Sequence, residues 1–439
     1  MANYLGIVIE QSFQDPTVLQ HFSVVVRRPG GWNFLLVEVA EADLADLIAR
    51  MQAAMHRDDK WYAHFFRGHE LVVVYHDAVF LVRTDPSTWQ PAVEHGLASG
   101  IPLEQLDFTP RTVEGAIQFF SLQPTPADWD VADPAALAVD WQGEHCLGFA
   151  NQLLLLKREP WYRAFTLEAD LALAADGYIG LVFGAQNRAN HELVYIYHGE
   201  GQPGWVQYDP VMNGSNTWQI YNGERYISPH VSVPAGEWVH LALQVAGGQV
   251  AITAGDAAEP QLVVPLMLGA TGKVGLWNFG GQAYVRNLRL VPLVEPPTSA
   301  ASPAPVRPAG LAMRWQVAPT PNGPWRDAPV EENGVLNLNR HFEPGVAYAR
   351  TTVQSDAACT AQLSLGFSDQ VRLQVNGEQV YQGEWHWEPP ATDGRIRLDY
   401  ATVPVSLRAG ANTILAEVTH DEPPFGWGLT VAVKPSGRS

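Results

Sequence analysis

Between Arg163 and Leu290 apolar and polar residues alternate one by one, in run after run. A side-chain period of two is what a strand needs when one face is buried and the other is wet. Phe165, Leu167, Ala169, Leu171 and Leu173 share one parity, with Thr166, Glu168 and Asp170 between them. The pattern returns at 178–185, 191–198, 237–246, 249–254 and 273–279, each run bounded by Gly, Pro, Asn or Asp. Short strands at such close, turn-punctuated spacing predict an antiparallel sandwich. The broad face of a sandwich carrying exposed aromatics makes binding the first functional idea.

The chain around this stretch is too long, at 439 residues, for one ordinary core, so two to three domains are expected. The N-terminal part, 1–122, mixes strand-like runs with a helical stripe of Leu44, Leu47, Ile48, Met51 and Met55. The runs at 61–66, 70–75 and 79–83 predict a three-stranded meander, and Asp85-Pro86-Ser87 announces a second helix. Together they predict a small α+β domain of ferredoxin-like layout. Residues 123–293 form the sandwich, 294–310 a linker dense in Pro, Ala and Ser, and 311–439 a second sandwich whose Asn376-Gly377 marks a tight hairpin.

Composition narrows the partners. A formal charge of −19, with no basic run to offset it, repels phosphate backbones, so nucleic acid is not an expected partner. No apolar run approaches a membrane span. Cys146 and Cys359 give no disulfide framework, and Glu10 and Gln11 break the N-terminal apolar run, so no export signal is seen. The expected compartment is the cytoplasm, with export by another route left open. Nucleotide-binding, zinc-protease and serine-esterase motifs are missing. His56, Asp58, Asp59, His64, His69, His76 and Asp77 are metal-ligand types without metal-ligand spacing, and they are expected to lie solvated at the surface.

The Trp-x-Val unit at 129–131, the run RAFTLEADLAL with GYIGLVFGAQN, the strand EWVHLALQV and the closing KVGLWNFGGQAYVRNLRL resemble the concanavalin A-like, laminin-G-like jelly roll, in the branch grouped with keto-disaccharide hydrolase and glycosidase-like domains. The resemblance implies the fold; its members include both enzymes and binding modules. A glycosidase needs two facing carboxyl groups. The Glu-x-Asp-x-x-Glu strand of the endoglucanase branch is absent, and the nearest candidates are Glu192, Glu200, Asp209 and Glu224. Asp209 and Asn213 are candidate ligands for a structural calcium, though one carboxylate is thin for that ion. No other cofactor is expected.

Binding residues are more numerous. Pyranose rings offer flat C–H faces to aromatics and hydroxyls to amides. The loop residues Trp205, Tyr208, Trp218 and Tyr221, with Asn216, are expected to stand outside the sandwich and hold a neutral saccharide. The C-terminal runs LGFSDQVRLQVNGEQVYQGEW and LRAGANTILAEV resemble the galactose-binding-domain-like jelly roll. Such domains bind at loops on one end, where Trp385, His386, Trp387, Asp393, Arg395, Asp421 and Trp427 are expected; a loop plug over the sandwich end is the alternative. The expectation is therefore a mostly β, multidomain, non-catalytic glycan-binding protein. A carbohydrate-active hydrolase and a structural or assembly protein are the alternatives.

Overall fold

The alternating runs form strands, and nearly all of them pair antiparallel. The computed structural model describes residues 3–57, 60–229, 231–295 and 305–435. Most of the expected linker, residues 296–304, and the pair Asp58 and Asp59 lie outside the described residues. The chain is mostly β and divides into two compact units. One comprises Met1–Leu181, Pro234–Gln261 and Ala270–Ala300; the other comprises Val182–Val233, Leu262–Gly269 and Ala301–Ser439. Among the described residues no helix is long and apolar enough to cross a membrane.

The first unit begins with a seven-stranded sheet in the order Trp161–Tyr162, Ser23–Arg28, Phe34–Val39, Tyr4–Ile9, Ala63–Arg67, Glu70–Val74 and Val79–Arg83. The last three are the predicted meander, each strand pairing with the next. The helical stripe forms as expected: helix Glu41–Ala54 buries Leu44, Leu47 and Met51 in one cluster with Val8, Leu35, Val37 and Phe65. Two further helices follow, Gln90–Ala98 and Val113–Phe120, the latter capped where Thr112 Oγ1 accepts the Gly115 N–H at 3.0 Å.

His64 is one of the sequence's candidate metal ligands, yet it is only 2% exposed, with Nε2 2.7 Å from the Pro110 carbonyl. Burial pushes its imidazole down to about 4, against the pull of that hydrogen bond. Between about pH 4 and 6.5 the unfolded chain binds a proton at this position that the folded one refuses, so stability falls as pH drops through that window. His64→Phe, which cannot titrate, is expected to lose about 2 kcal/mol less stability than the native chain between pH 6.5 and 4.5. Denaturant titrations at the two pH values measure it, and equal losses would contradict the assignment.

The second sheet of this unit runs Gln249–Ala254, Val239–Ala246, Phe165–Leu173, Gln282–Pro292, Glu144–Ala150 and Ala138–Trp141. Its central strand buries Leu167, Ala169 and Leu171 at 0% exposure, and Leu241, Leu243, Ile252 and Val285 cover the same inner side. Burying one such side chain stabilises by roughly 1.5–3 kcal/mol. Register is thereby fixed, because a one-residue slip would carry this whole set to water. The outer parity is left to polar residues.

In the second unit, strand Asn190–His198 pairs antiparallel with Trp205–Tyr208 and Val211–Met212. A six-stranded and a four-stranded sheet from the C-terminal part enclose a core that includes Trp315, Leu363, Phe367, Leu373, Ile414 and Trp427. The hairpin turn falls at Asn376-Gly377 as predicted, with φ of 51° and 85°. Both residues accept the left-handed conformation that this turn requires.

Candidate functional site

The outer face of the second sheet of the first unit is assembled by a bulge. Glu168 lies opposite Arg289, while Asp170, two residues on, lies opposite Arg286, three residues back. One extra residue is therefore inserted into Gln282–Pro292, and Asn287 takes it up with φ 53°. Without the insertion Arg286 and Arg289 would point to opposite sides; with it both join Glu168 and Asp170 on the wet face. His240, the register partner of Asp170 on the other side, completes the row.

The resulting network is closely bonded. Asp170 Oδ1 lies 2.9 Å from His240 Nδ1, and its Oδ2 accepts from Arg286 Nε at 3.1 Å and Asn287 Nδ2 at 2.7 Å. Arg286 also donates to Glu144, Arg289 donates to Glu168, and His240 Nε2 stands 3.8 Å from Glu168. Burial alone would raise the Asp170 carboxyl, but the hydrogen bonds from His240, Asn287 and Arg286 outweigh it and hold it below its ordinary value. The row still faces solvent: His240 and Arg289 side chains are 44% and 51% exposed, and Glu144 is 48% exposed.

Aromatic rings close one end of the row. Trp141 stacks on Tyr284 with centroids 4.2 Å apart and planes 12° apart, and meets Trp238 edge-on at 5.1 Å. The Arg286 guanidinium lies 4.5 Å from the Trp238 ring centroid. Successive rows are about 7 Å apart along a strand, so the rings and the charged row lie within reach of one small molecule. A cleft of about 930 Å³ opens over Glu144, Cys146, Asp170, His240, Arg286 and Arg289, a volume at the upper end for ligand sites. Burial, and then Asp140 and Glu144, push the Cys146 thiol up and so disfavour its thiolate.

The residues expected from the sequence to bind saccharide or calcium, or to act as carboxylates, all lie in the second unit, and they divide. Tyr208 and Tyr221 are 0% exposed, which corrects the expectation that they stand outside: strand Trp205–Tyr208 is covered on both sides, and a period of two cannot reveal that. Their rings pack on each other and on Tyr226. Trp205 is half-buried and stacks on Tyr197 at 3.9 Å. Asn216 donates to Asp209, whose other oxygen accepts the Thr217 N–H at 2.7 Å.

The carboxylates fare similarly. Asp209 is 1% exposed and pushed up to about 7, chiefly by burial, and Asn213 spends its amide on the Asn339 carbonyl. Among the described residues no three His, Cys, Asp or Glu side chains gather in one place. Glu192 is 0% exposed with its oxygens bonded to Tyr208 Oη and to the Leu268 and Gly269 N–H groups, out of reach of a substrate. Glu224 is exposed.

The structure does bring two predicted clusters together. Trp218 and Trp387 each meet Phe425 edge-on, at 5.4 and 6.1 Å, and Trp387 is 47% exposed. Trp385 tilts over Tyr400, and Asp393 pairs with Arg397 at 2.6 Å. Trp427 is buried under His420.

Sequence reasoning missed the outer face of the first unit's sheet. The one available signal was Glu168 and Asp170 at a spacing of two, which supplies the first two positions of the Glu-x-Asp-x-x-Glu pattern. The last position falls on Leu173, which is 1% exposed.

No protein-family model matches the chain, and no curated protein matches it. Among solved structures, a carbohydrate-binding module, CBM66 from Bacillus subtilis, is similar at 16% identity over 37% of this chain and 94% of that one, with a TM-score of 0.28. A putative glycosyl hydrolase from Parabacteroides distasonis is similar at 19% identity over 41% of this chain and 96% of that one, TM-score 0.26. A β-glucanase from Bacillus licheniformis is similar at 14% identity over 34% of this chain and 79% of that one, TM-score 0.24. At these scores the likenesses bear on neither ligand nor activity.

Proposed function

We propose that the chain binds a neutral saccharide on the outer face formed by Glu144, Glu168, Asp170, His240, Arg286 and Arg289, without cleaving it. The observation that carries the proposal is the bulged row itself: alternating carboxylates and cations, fixed by one another and open to solvent beside stacked rings. Such groups are oriented before a ligand arrives, so little rotamer freedom remains to be lost on binding. Sugar hydroxyls both donate and accept, and suit a row in which Asp170 accepts and Arg286 donates within one bonded network. The ring at the end of the row supplies the apolar surface that a pyranose C–H face needs.

The same geometry supports a reading of binding without cleavage. Glu168 and Asp170 are each held by cations, and Leu173 denies the strand its third carboxyl group.

In calorimetric titration against a panel of neutral oligosaccharides, Asp170→Asn is expected to weaken binding about tenfold or more. His240→Ala, at an exposed position, is expected to weaken it several-fold without altering thermal stability. Incubation with the same panel is expected to release no reducing sugar. Binding that survives both substitutions would sink the proposal, and sugar release lost in Glu168→Gln would replace it with the hydrolase reading.

A further inference from the structure

The N-terminal sheet carries a second site that the saccharide face does not use. Two clefts share Trp32 and Phe34 in their walls. One, about 690 Å³, is lined by Ile7, Trp61, Tyr62 and Phe119, with Lys60 and Asp107 among its polar residues. The other, about 510 Å³, is lined by Arg28, Lys157 and Arg158, with Asp128 as the carboxylate in its wall. Trp32 is 46% exposed and meets Phe34 and Trp61 edge-on at 6.3 and 5.8 Å. Each volume lies within the range of small-molecule sites.

Two cations of the second cleft, Arg28 and Lys157, are held by carbonyl oxygens and rings. Arg28 is partly buried, with its guanidinium 4.3 Å from the Phe119 ring centroid and its Nη1 donating to the Phe119 carbonyl. Lys157 Nζ donates to the Ala127 carbonyl at 2.9 Å. Among the described residues neither of these side chains, nor Arg158, forms an ion pair with a carboxylate. Asp128 is already taken, by the Thr125 N–H at 2.8 Å and the Thr125 hydroxyl at 2.7 Å. Elsewhere Arg67, Arg225, Arg286 and Arg340 are each held by carboxylates. In a chain of net charge −19 these three cations converge on one cleft, and a partly buried charge such as that of Arg28 is costly without a counter-charge. An anion arriving there would gain charge-assisted hydrogen bonds and relieve that cost.

We propose that the adjoining clefts bind a planar aromatic anion. Its rings lie against Trp32, Phe34 and Trp61, and its acidic group lies against Arg28, Lys157 and Arg158. Gly31 suits the approach, since nothing stands within 4 Å of where its Cβ would be.

The test uses the full chain and two fluorescent probes of similar shape, anilinonaphthalene sulfonate and the uncharged phenylnaphthylamine. Reversing the two exposed charges, with Lys157→Glu and Arg158→Glu together, is expected to weaken the sulfonate about tenfold or more while leaving the neutral probe within about twofold. Trp32→Ala is expected to weaken both probes at least about fivefold. Unchanged melting temperatures confirm that both variants are folded. Sulfonate binding indifferent to the charge reversal, equal loss of the neutral probe, or indifference of both probes to Trp32→Ala would each overturn the proposal, as would failure of the native chain to bind the sulfonate.

Discussion

Replacing Asp369 by Ala is expected to destabilise the second unit by about 4–5 kcal/mol, measured as the shift in its denaturant transition. The carboxylate is 0% exposed. Its Oδ2 takes the His420 Nδ1 at 2.8 Å and the Asp421 and Glu422 N–H groups at 2.7 and 2.9 Å, and its Oδ1 takes the Ser368 hydroxyl at 2.7 Å. Burial on its own would raise this carboxyl, but the bonds from His420, Ser368 and the Asp421 N–H prevail and leave it lowered. Because the folded value lies below the unfolded one, its contribution is fully present above about pH 4 and is lost only as pH falls through the folded value. Truncation strands four donors at once, and an unpaired buried donor costs roughly 1–3 kcal/mol. The imidazole of His420 stacks on Trp427 with planes 14° apart, so Trp427 emission reports the loss locally. A cost below about 1 kcal/mol would mean that water replaces the carboxylate, contrary to the burial observed.

The next largest effect is expected at Glu192. Its carboxyl group ties Tyr208 Oη to the Leu268 and Gly269 N–H groups, at 2.7 and 3.0 Å for the two amides. Glu192→Ala frees all three and opens a void, for an expected loss of about 4 kcal/mol. Here burial prevails over the hydrogen bonds, and the carboxyl lies above its ordinary value. The charged form is the one that burial disfavours, and Glu192→Gln, neutral and of the same shape, is expected to cost less than half as much as the Ala variant. Equal losses in the two variants would show that the negative charge, and not merely an acceptor, is required. The neighbouring backbone leaves little room for adjustment: Gly184 has φ 57°, and a Cβ there would stand 2.1 Å from the Gly269 carbonyl oxygen.

Much of the architecture was legible because burial on one face writes a period of two, and the runs at 165–173, 239–246 and 249–254 carry it plainly. The helix at Glu41–Ala54 and the turn at Asn376-Gly377 were legible for equally local reasons. The outer face was not, because Asp170 meets partners 70 and 116 residues away and the meeting depends on an inserted residue at Asn287 that inverts side-chain parity. A strict alternation would send Arg286 and Arg289 to opposite faces. Tyr208 and Tyr221 misled for the opposite reason: they sit in turn-rich sequence of the kind that usually lies in water, yet the fold covers them. Of the loop aromatics beside Phe425, Trp387 is exposed and Trp218 is half-buried.

The most direct measurement of the account is calorimetric titration of native and Asp170→Asn protein with whichever neutral oligosaccharide of the panel binds. Saturable binding by the native chain, weakened about tenfold or more by a substitution that removes one charge from the bulged row and little bulk, is the predicted result. Native-like affinity in the variant, or no saccharide bound by the native chain at millimolar concentration, would contradict it.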